Sequence, residues 1–265
     1  MKTILSLSVF LLSFCIAVAQ SGSKPFIIGE TVQISSVQLS EMRTLNIYLP
    51  DGYKESGAKY PVIYLLDGSA NEDFVHIAGI VQFLTMIQKM PGTIVVGIAN
   101  VDRQRDFTYP TTIAEDLKSW PTTGKSAKFI DFMEKELQPY IEKNYRVSDK
   151  TIIGQSLGGL LATEILLKKP SLFNNYIIVS PSMWWDNGSI LNDAPQLMKD
   201  NNYGGIKVYL SVGSEGKQSD IDTNKLSALF TNAGSTTFYN PMPEETHLTI
   251  LHNSAYKGLE LLNKQ

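Results

Sequence analysis

Apolar residues along this chain come in two rhythms. Val62 to Leu66 and Thr93 to Ile98 are short apolar runs without polar alternation, as expected of strands covered on both faces of a sheet. Thr31 to Leu39 and Arg43 to Leu49 read as an opening antiparallel pair. Thr151 to Ile153, Tyr176 to Val179, Ile206 to Val212 and Thr236 to Tyr239 supply further strands. Phe129 to Tyr145 instead repeats its apolar residues at helical spacing, with Lys135 and Glu136 on the polar side. Leu160 to Lys168 is a second helix, stopped by Pro170, and Ser254 to Asn263 a closing one. The alternation predicts an α/β fold: a mostly parallel central sheet of about eight strands with helices on both faces. No repeat, long linker or charge block interrupts it, so residues 20–265 read as one domain.

The first residues follow another pattern. Lys2 precedes a mostly apolar run from Ile4 to Val18, and Ala17-Val18-Ala19 forms a small-residue cleavage signal. Residues 1–19 are therefore expected to be a cleaved signal peptide, with a secreted or periplasmic product beginning at Gln20 and no stable membrane insertion afterwards. Cleavage would also remove Cys15, the only cysteine. That excludes a thiol nucleophile, a disulfide and a cysteine-based zinc site from the mature chain. With 43% hydrophobic and 18% charged residues the composition is that of an ordinary globular protein. A net charge of −3 gives no reason to expect nucleic acid as a partner.

Candidate chemistry centres on Gly154-Gln155-Ser156-Leu157-Gly158, a G-x-S-x-G motif between a β-branched strand and a helix. That context is what a nucleophile elbow requires: a sharp strand-to-helix turn that lifts the Ser156 hydroxyl above the sheet. Side chains at Gly154 and Gly158 are expected to collide with neighbouring backbone. A serine needs a base, and in this arrangement the partners follow in the order serine, acid, histidine. Of the three histidines, His76 precedes the serine, His252 reads as a surface or packing residue, and His247 lies after the last strand. His247 is the expected base. Glu215 follows the strand ending at Val212 and is the expected acid, with Asp220, Asp222 and Asp186 as competitors. The oxyanion donors are expected to be the Leu157 amide and, from the loop after Leu66, the Ser69 amide or that of Gly68, whose flexibility would turn the backbone into the site.

Leu65-Leu66-Asp67-Gly68, Asp102-Arg103-Gln104-Arg105-Asp106, Gly154 to Gly159, Ser180-Pro181-Ser182-Met183-Trp184-Trp185 and His247 together resemble an esterase family. It includes siderophore (enterobactin-type) esterases, feruloyl and acetyl-xylan esterases, S-formylglutathione hydrolase and mycolyltransferases. The chain is most similar to the small periplasmic siderophore-esterase-like branch. The resemblance implies an α/β-hydrolase fold, no cofactor, a Ser/His mechanism and an acid, often Glu, at the position of Glu215. Some members are Ser/His dyads. Gln155 stands where members often have His, and Leu248 where they often have Gly.

The substrate is expected to be a small-molecule or glycan-linked ester: a siderophore ester or trilactone, an aryl ester or an acetyl ester. Candidate substrate contacts are Arg103, Arg105, Gln155, Trp184 and Trp185. The two arginines read either as an anion clamp or as partners of Asp102 and Asp106 that fix a loop. The two tryptophans read as a pocket wall or as a core-and-lid pair. An acyltransferase on the same fold and a non-catalytic siderophore or glycan binder are the rival readings.

Overall fold

A computed structural model describes residues 23–264. The expected signal segment lies outside them. One sheet organises the chain, with strand order β1-β2-β4-β3-β5-β6-β7-β8. β1 (Glu30–Ser36), β2 (Glu41–Tyr48) and β4 (Ile94–Ile98) are antiparallel neighbours. From β4 outward every pairing is parallel, through β3 (Tyr60–Leu65), β5 (Val147–Gln155), β6 (Asn175–Val179), β7 (Lys207–Val212) and β8 (Thr236–Pro241).

The unbroken apolar runs have a direct cause. Successive strand residues point to opposite faces, and both faces are covered. Ile63, Leu65, Val95, Ile153, Ile177 and Tyr209 pack under α1 (Phe74–Met86) and α9 (Ile250–Leu262). Val62, Tyr64, Ile94, Val96, Ile152, Ile178 and Leu210 face the other core. That side is built from α2 (Arg103–Phe107), α4 (Ser126–Phe132), α5 (Gln138–Asn144), α6 (Leu157–Lys168), α7 (Ser189–Met198) and α8 (Lys217–Asn232). The short α3 (Ala114–Ser119) buries none of its residues. The long helix expected over Phe129 to Tyr145 is α4 and α5 joined by a π turn, Met133–Leu137. β5 extends well before Thr151.

One buried ion pair fixes the ground beneath the site. Arg43 of β2, fully buried, donates to Asp106 of α2 at 2.8 Å and to the Ala99 carbonyl at 3.0 Å. Arg43 also pairs with Glu41 and Asp106 with Arg105, so the pair belongs to a four-residue ion network. Arg43 thereby holds α2, and with it Arg103, against the end of β4.

Candidate active site

β5 ends at Gln155 and α6 begins at Leu157, so Ser156 alone makes the corner. Its φ of 58° with ψ of −120° is a conformation L-residues rarely adopt. The corner is held from both sides: the Ser156 amide donates to the Val179 carbonyl at 3.0 Å, and its carbonyl accepts from the Leu160 amide at 2.9 Å. Gly154 is dictated by space, because a Cβ there would lie 2.4 Å from the Gly158 carbonyl oxygen. Gly158 differs from expectation. Its nearest neighbours would be 3.4 Å from a Cβ, an ordinary contact.

Ser156, Gln155 and His247 line a cavity of about 410 Å³, with Asp67, Glu72, Asp73, Arg103 and Leu248. His247 arrives from the loop after β8, and its Nδ1 lies 2.9 Å from Glu215 Oε2. The hydrogen bond to Glu215, outweighing burial and the nearby Arg103 charge, raises the His247 pKa above the ordinary imidazole value. Burial pushes Glu215 up, but the His247 hydrogen bond and the Ser180 hydroxyl more than offset it and hold its carboxyl below the usual range. With Nδ1 turned to Glu215, Nε2 is the ring nitrogen left uncommitted. The Ser156 hydroxyl itself is 3.2 Å from the Ser182 Oγ, not hydrogen-bonded to the imidazole. The rival acids point elsewhere: Asp220 accepts from the Tyr239 hydroxyl, Asp222 from Gln218 and Asp186 from Thr111. His76 sits on Asp73, its ring stacked on that of His252 with 5.8 Å between centroids.

Of the expected oxyanion donors, the Leu157 and Ser69 amides make no hydrogen bond among the described residues. Leu157 heads α6, where amides have no helical partner. Ser69 is not among the cavity-lining residues. The Gly68 amide is already committed, donating to the Ile98 carbonyl at 3.0 Å, so it cannot be the second donor. Gly68 also does not make the turn; Asp67, at φ 54°, does. Gly68 is glycine because a Cβ would lie 2.3 Å from Gly97 Cα, where the loop crosses β4.

The two arginines part company. Arg103 forks onto Asp67, at 2.6 and 2.9 Å, and reaches the Gln155 carbonyl at 3.3 Å. It joins the loop after β3 to the residue before Ser156. Arg105 binds Glu41 and Asp106 and does not reach the cavity. Asp102 partners neither arginine side chain; it caps α2 by accepting from the Arg105 amide. Gln155 turns its amide to the His247 carbonyl. Trp184 is 53% exposed and walls a second cleft of about 400 Å³ with Pro181, Met183 and Gln218. Trp185 is fully buried, its indole N–H donating to the Tyr109 carbonyl. The pair is thus a wall and a core residue. Sequence reasoning missed Glu72, Asp73 and Ser182; for Ser182 the available signal was a second serine just past the end of a strand beside the elbow.

A mixed sheet covered by helices on both faces, with a serine elbow at a strand end and a histidine after the last strand, defines an α/β-hydrolase. Residues 36–243 match the model of the family described as Putative esterase, and the chain belongs to that family. It is a carboxylic ester hydrolase. The ferri-bacillibactin esterase BesA of Bacillus subtilis (strain 168) is 36% identical over 206 residues, 70% of each chain. An IroE-like serine hydrolase from Shewanella oneidensis superposes with a TM-score of 0.79 at 30% identity, covering 88% of this chain and 79% of that one. The BES protein from Bacillus cereus gives 0.78 at 27% identity, covering 93% and 100%.

Proposed function

We propose that this protein is a secreted or periplasmic serine esterase that cleaves siderophore esters through an acyl-enzyme, residues 1–19 being its signal peptide and 20–265 a single domain. The observation that carries the reading is the strained Ser156 lining one cavity with a His247 whose Nδ1 is bound by Glu215. Ser156 attacks the ester carbonyl as His247 Nε2 takes its proton, and Glu215 stabilises the imidazolium. The Leu157 and Ser69 amides hold the oxyanion. The leaving alcohol departs with the proton, and water hydrolyses the acyl-enzyme by the same base. Arg103 sets the Asp67 loop against the elbow, and the exposed Trp184, in the second cleft whose Pro181 and Met183 flank Ser182 in the chain, offers an apolar wall for a substrate that extends there. The substrate class rests on the ferri-bacillibactin esterase named above; aryl and acetyl esters are the other members of the class to test.

Ser156→Ala should lose essentially all turnover of a p-nitrophenyl ester while remaining folded. A fluorophosphonate probe should label wild type and not the variant. Turnover by the variant, or a folded wild type that resists the probe, would sink the assignment. A panel of trilactone siderophore, feruloyl and acetyl esters then ranks the substrates by kcat/KM.

A further inference from the structure

A second serine touches the nucleophile. The Ser182 Oγ lies 3.2 Å from the Ser156 Oγ, and the Ser182 amide donates to the Ser156 carbonyl at 3.0 Å. Ser182 is 3% exposed, and Ser156 is the only hydrogen-bond partner of its hydroxyl among the described residues. Its placement is enforced. Ser180 directly follows β6, held at φ 42° with its amide on the Ser211 carbonyl at 2.8 Å. Pro181 then packs on α6, where a Cβ at Gly159 would lie 3.0 Å from Pro181 Cα. A strained corner and a close backbone contact therefore press one hydroxyl onto the reacting oxygen.

We infer that Ser182 is a further catalytic residue, whose hydroxyl donates to the Ser156 Oγ and acts chiefly in deacylation. This rests on the acyl-enzyme reading above. In the free enzyme, donation from Ser182 leaves the Ser156 proton free to point at His247 Nε2. Once Ser156 is acylated its Oγ carries no proton and can only accept, which makes Ser182 the obligatory donor. In the second half-reaction His247 takes a proton from water, whose oxygen bonds to the acyl carbon. The tetrahedral intermediate collapses as the C–Oγ bond breaks and the electron pair returns to Oγ. Oγ then receives the proton held by His247. Negative charge grows on Oγ during that collapse, and the Ser182 hydrogen bond strengthens with it. In acylation Oγ attacks as it passes its proton to His247, but the resting hydroxyl already accepts from Ser182 and so the contact changes less, whereas the ester oxygen of the acyl-enzyme is a weak acceptor that becomes a strong one as the C–Oγ bond breaks.

The test separates the two halves by rapid-mixing kinetics on p-nitrophenyl acetate. Ser182→Ala should acylate at close to the wild-type rate but deacylate about 10- to 100-fold more slowly, the range a hydrogen bond to a charged group supports. Mass spectra of quenched turnover should then show an acetylated variant accumulating. Ser182→Cys keeps the volume with a weaker donor and should fall between alanine and wild type, which preserves the test should the alanine variant fail to fold. Deacylation at the wild-type rate in either folded variant, or equal loss in both steps, would overturn the proposal; equal loss marks a merely structural contact. Failure of the wild type to form any acyl-enzyme would instead overturn the parent reading.

Discussion

Replacing Glu215 by Gln keeps the side chain's size and removes its charge. The carboxylate oxygen lies 2.9 Å from His247 Nδ1. Two unit charges at that distance attract by about 1.4 kcal/mol at the dielectric constant of water and by about 6 kcal/mol at an effective value near 20. The Glu215 side chain is 16% exposed but the imidazole 40%, so screening places the interaction low in that window, at about 2–3 kcal/mol. In the proposed mechanism the imidazole, above its pKa, becomes charged only as Ser156 attacks, so the loss falls on the transition state. The plateau kcat of E215Q should drop by about 30- to 150-fold. The pH profile carries a second signature. The proposed base works as neutral His247, and Glu215 raises its pKa. The acid limb of kcat/KM should therefore sit above the ordinary imidazole value in wild type and move to lower pH in E215Q. Stability runs the other way. A raised histidine contributes stability that is full below its unfolded value of 6.5 and lost as pH rises through the folded value. The lowered Glu215 contributes above its unfolded value of 4.5 and loses that contribution as pH falls through its folded value. The pair thus stabilises the fold most in mild acid, where the base is silent. E215Q should lose most melting temperature there and least in mild alkali. Ester hydrolysis and thermal melts across pH read both effects. A plateau within about threefold of wild type with an unmoved acid limb would refute Glu215 as the partner and favour a Ser–His dyad.

Two further contrasts test the frame around the site. Gly154→Ala places a Cβ against the Gly158 carbonyl and should cost about 3 kcal/mol or fail to fold, whereas Gly158→Ala should stay within about 1 kcal/mol in denaturant titration. Equal costs would contradict the packing. Arg105→Leu should lower stability by about 1–2 kcal/mol by stripping Glu41 and Asp106 of a partner, yet leave kcat/KM unchanged. Arg103→Leu should lower kcat/KM about tenfold or more by releasing Asp67 and the Gln155 carbonyl. Turnover that responds alike to both would contradict their separation.

Most of the architecture was legible because buried parallel strands leave unbroken apolar runs and the elbow a glycine-spaced serine. The antiparallel opening pair, the elbow between β5 and α6, and the loop carrying His247 all follow from those patterns. α1, α2, α3, α7 and α8 were not specified. α8 reads KQSDIDTNKLSALFTN, with only Thr223, Leu226, Ser227 and Phe230 buried, too thin an apolar stripe to stand out. The fates of the arginines were equally hidden. Arg103 and Arg105 are two residues apart, so a short helix sends them in different directions. Their partners, Asp67 and Glu41, come from 36 and 64 residues away. Gly68 was misread for a related reason. A glycine serving close approach and one serving a turn look identical in sequence, and the left-handed residue here is its neighbour Asp67.

Where the candidate groups come from explains why so few residues can carry the site. In the parallel register Gln155 is opposite Val179, and Val179 opposite Ser211. β5, β6 and β7 therefore end at one level, and the chain turns there three times. The first turn gives Ser156, the second Ser180 to Ser182, the third Gly213 to Glu215. β8 follows beside β7, and its exit loop supplies His247. The Ser214 amide donates to the Glu245 carbonyl at 2.7 Å, tying the third turn to that loop, and Gln155 ties the loop to the elbow through the His247 carbonyl. Ligands of open α/β sheets bind outside the carboxyl ends of their strands. Here the same edge stores the backbone strain of Ser156 and Ser180, each costing about 1–3 kcal/mol. That strain persists because the register leaves the corners no slack, and relieving it would mean sliding a strand buried on both faces.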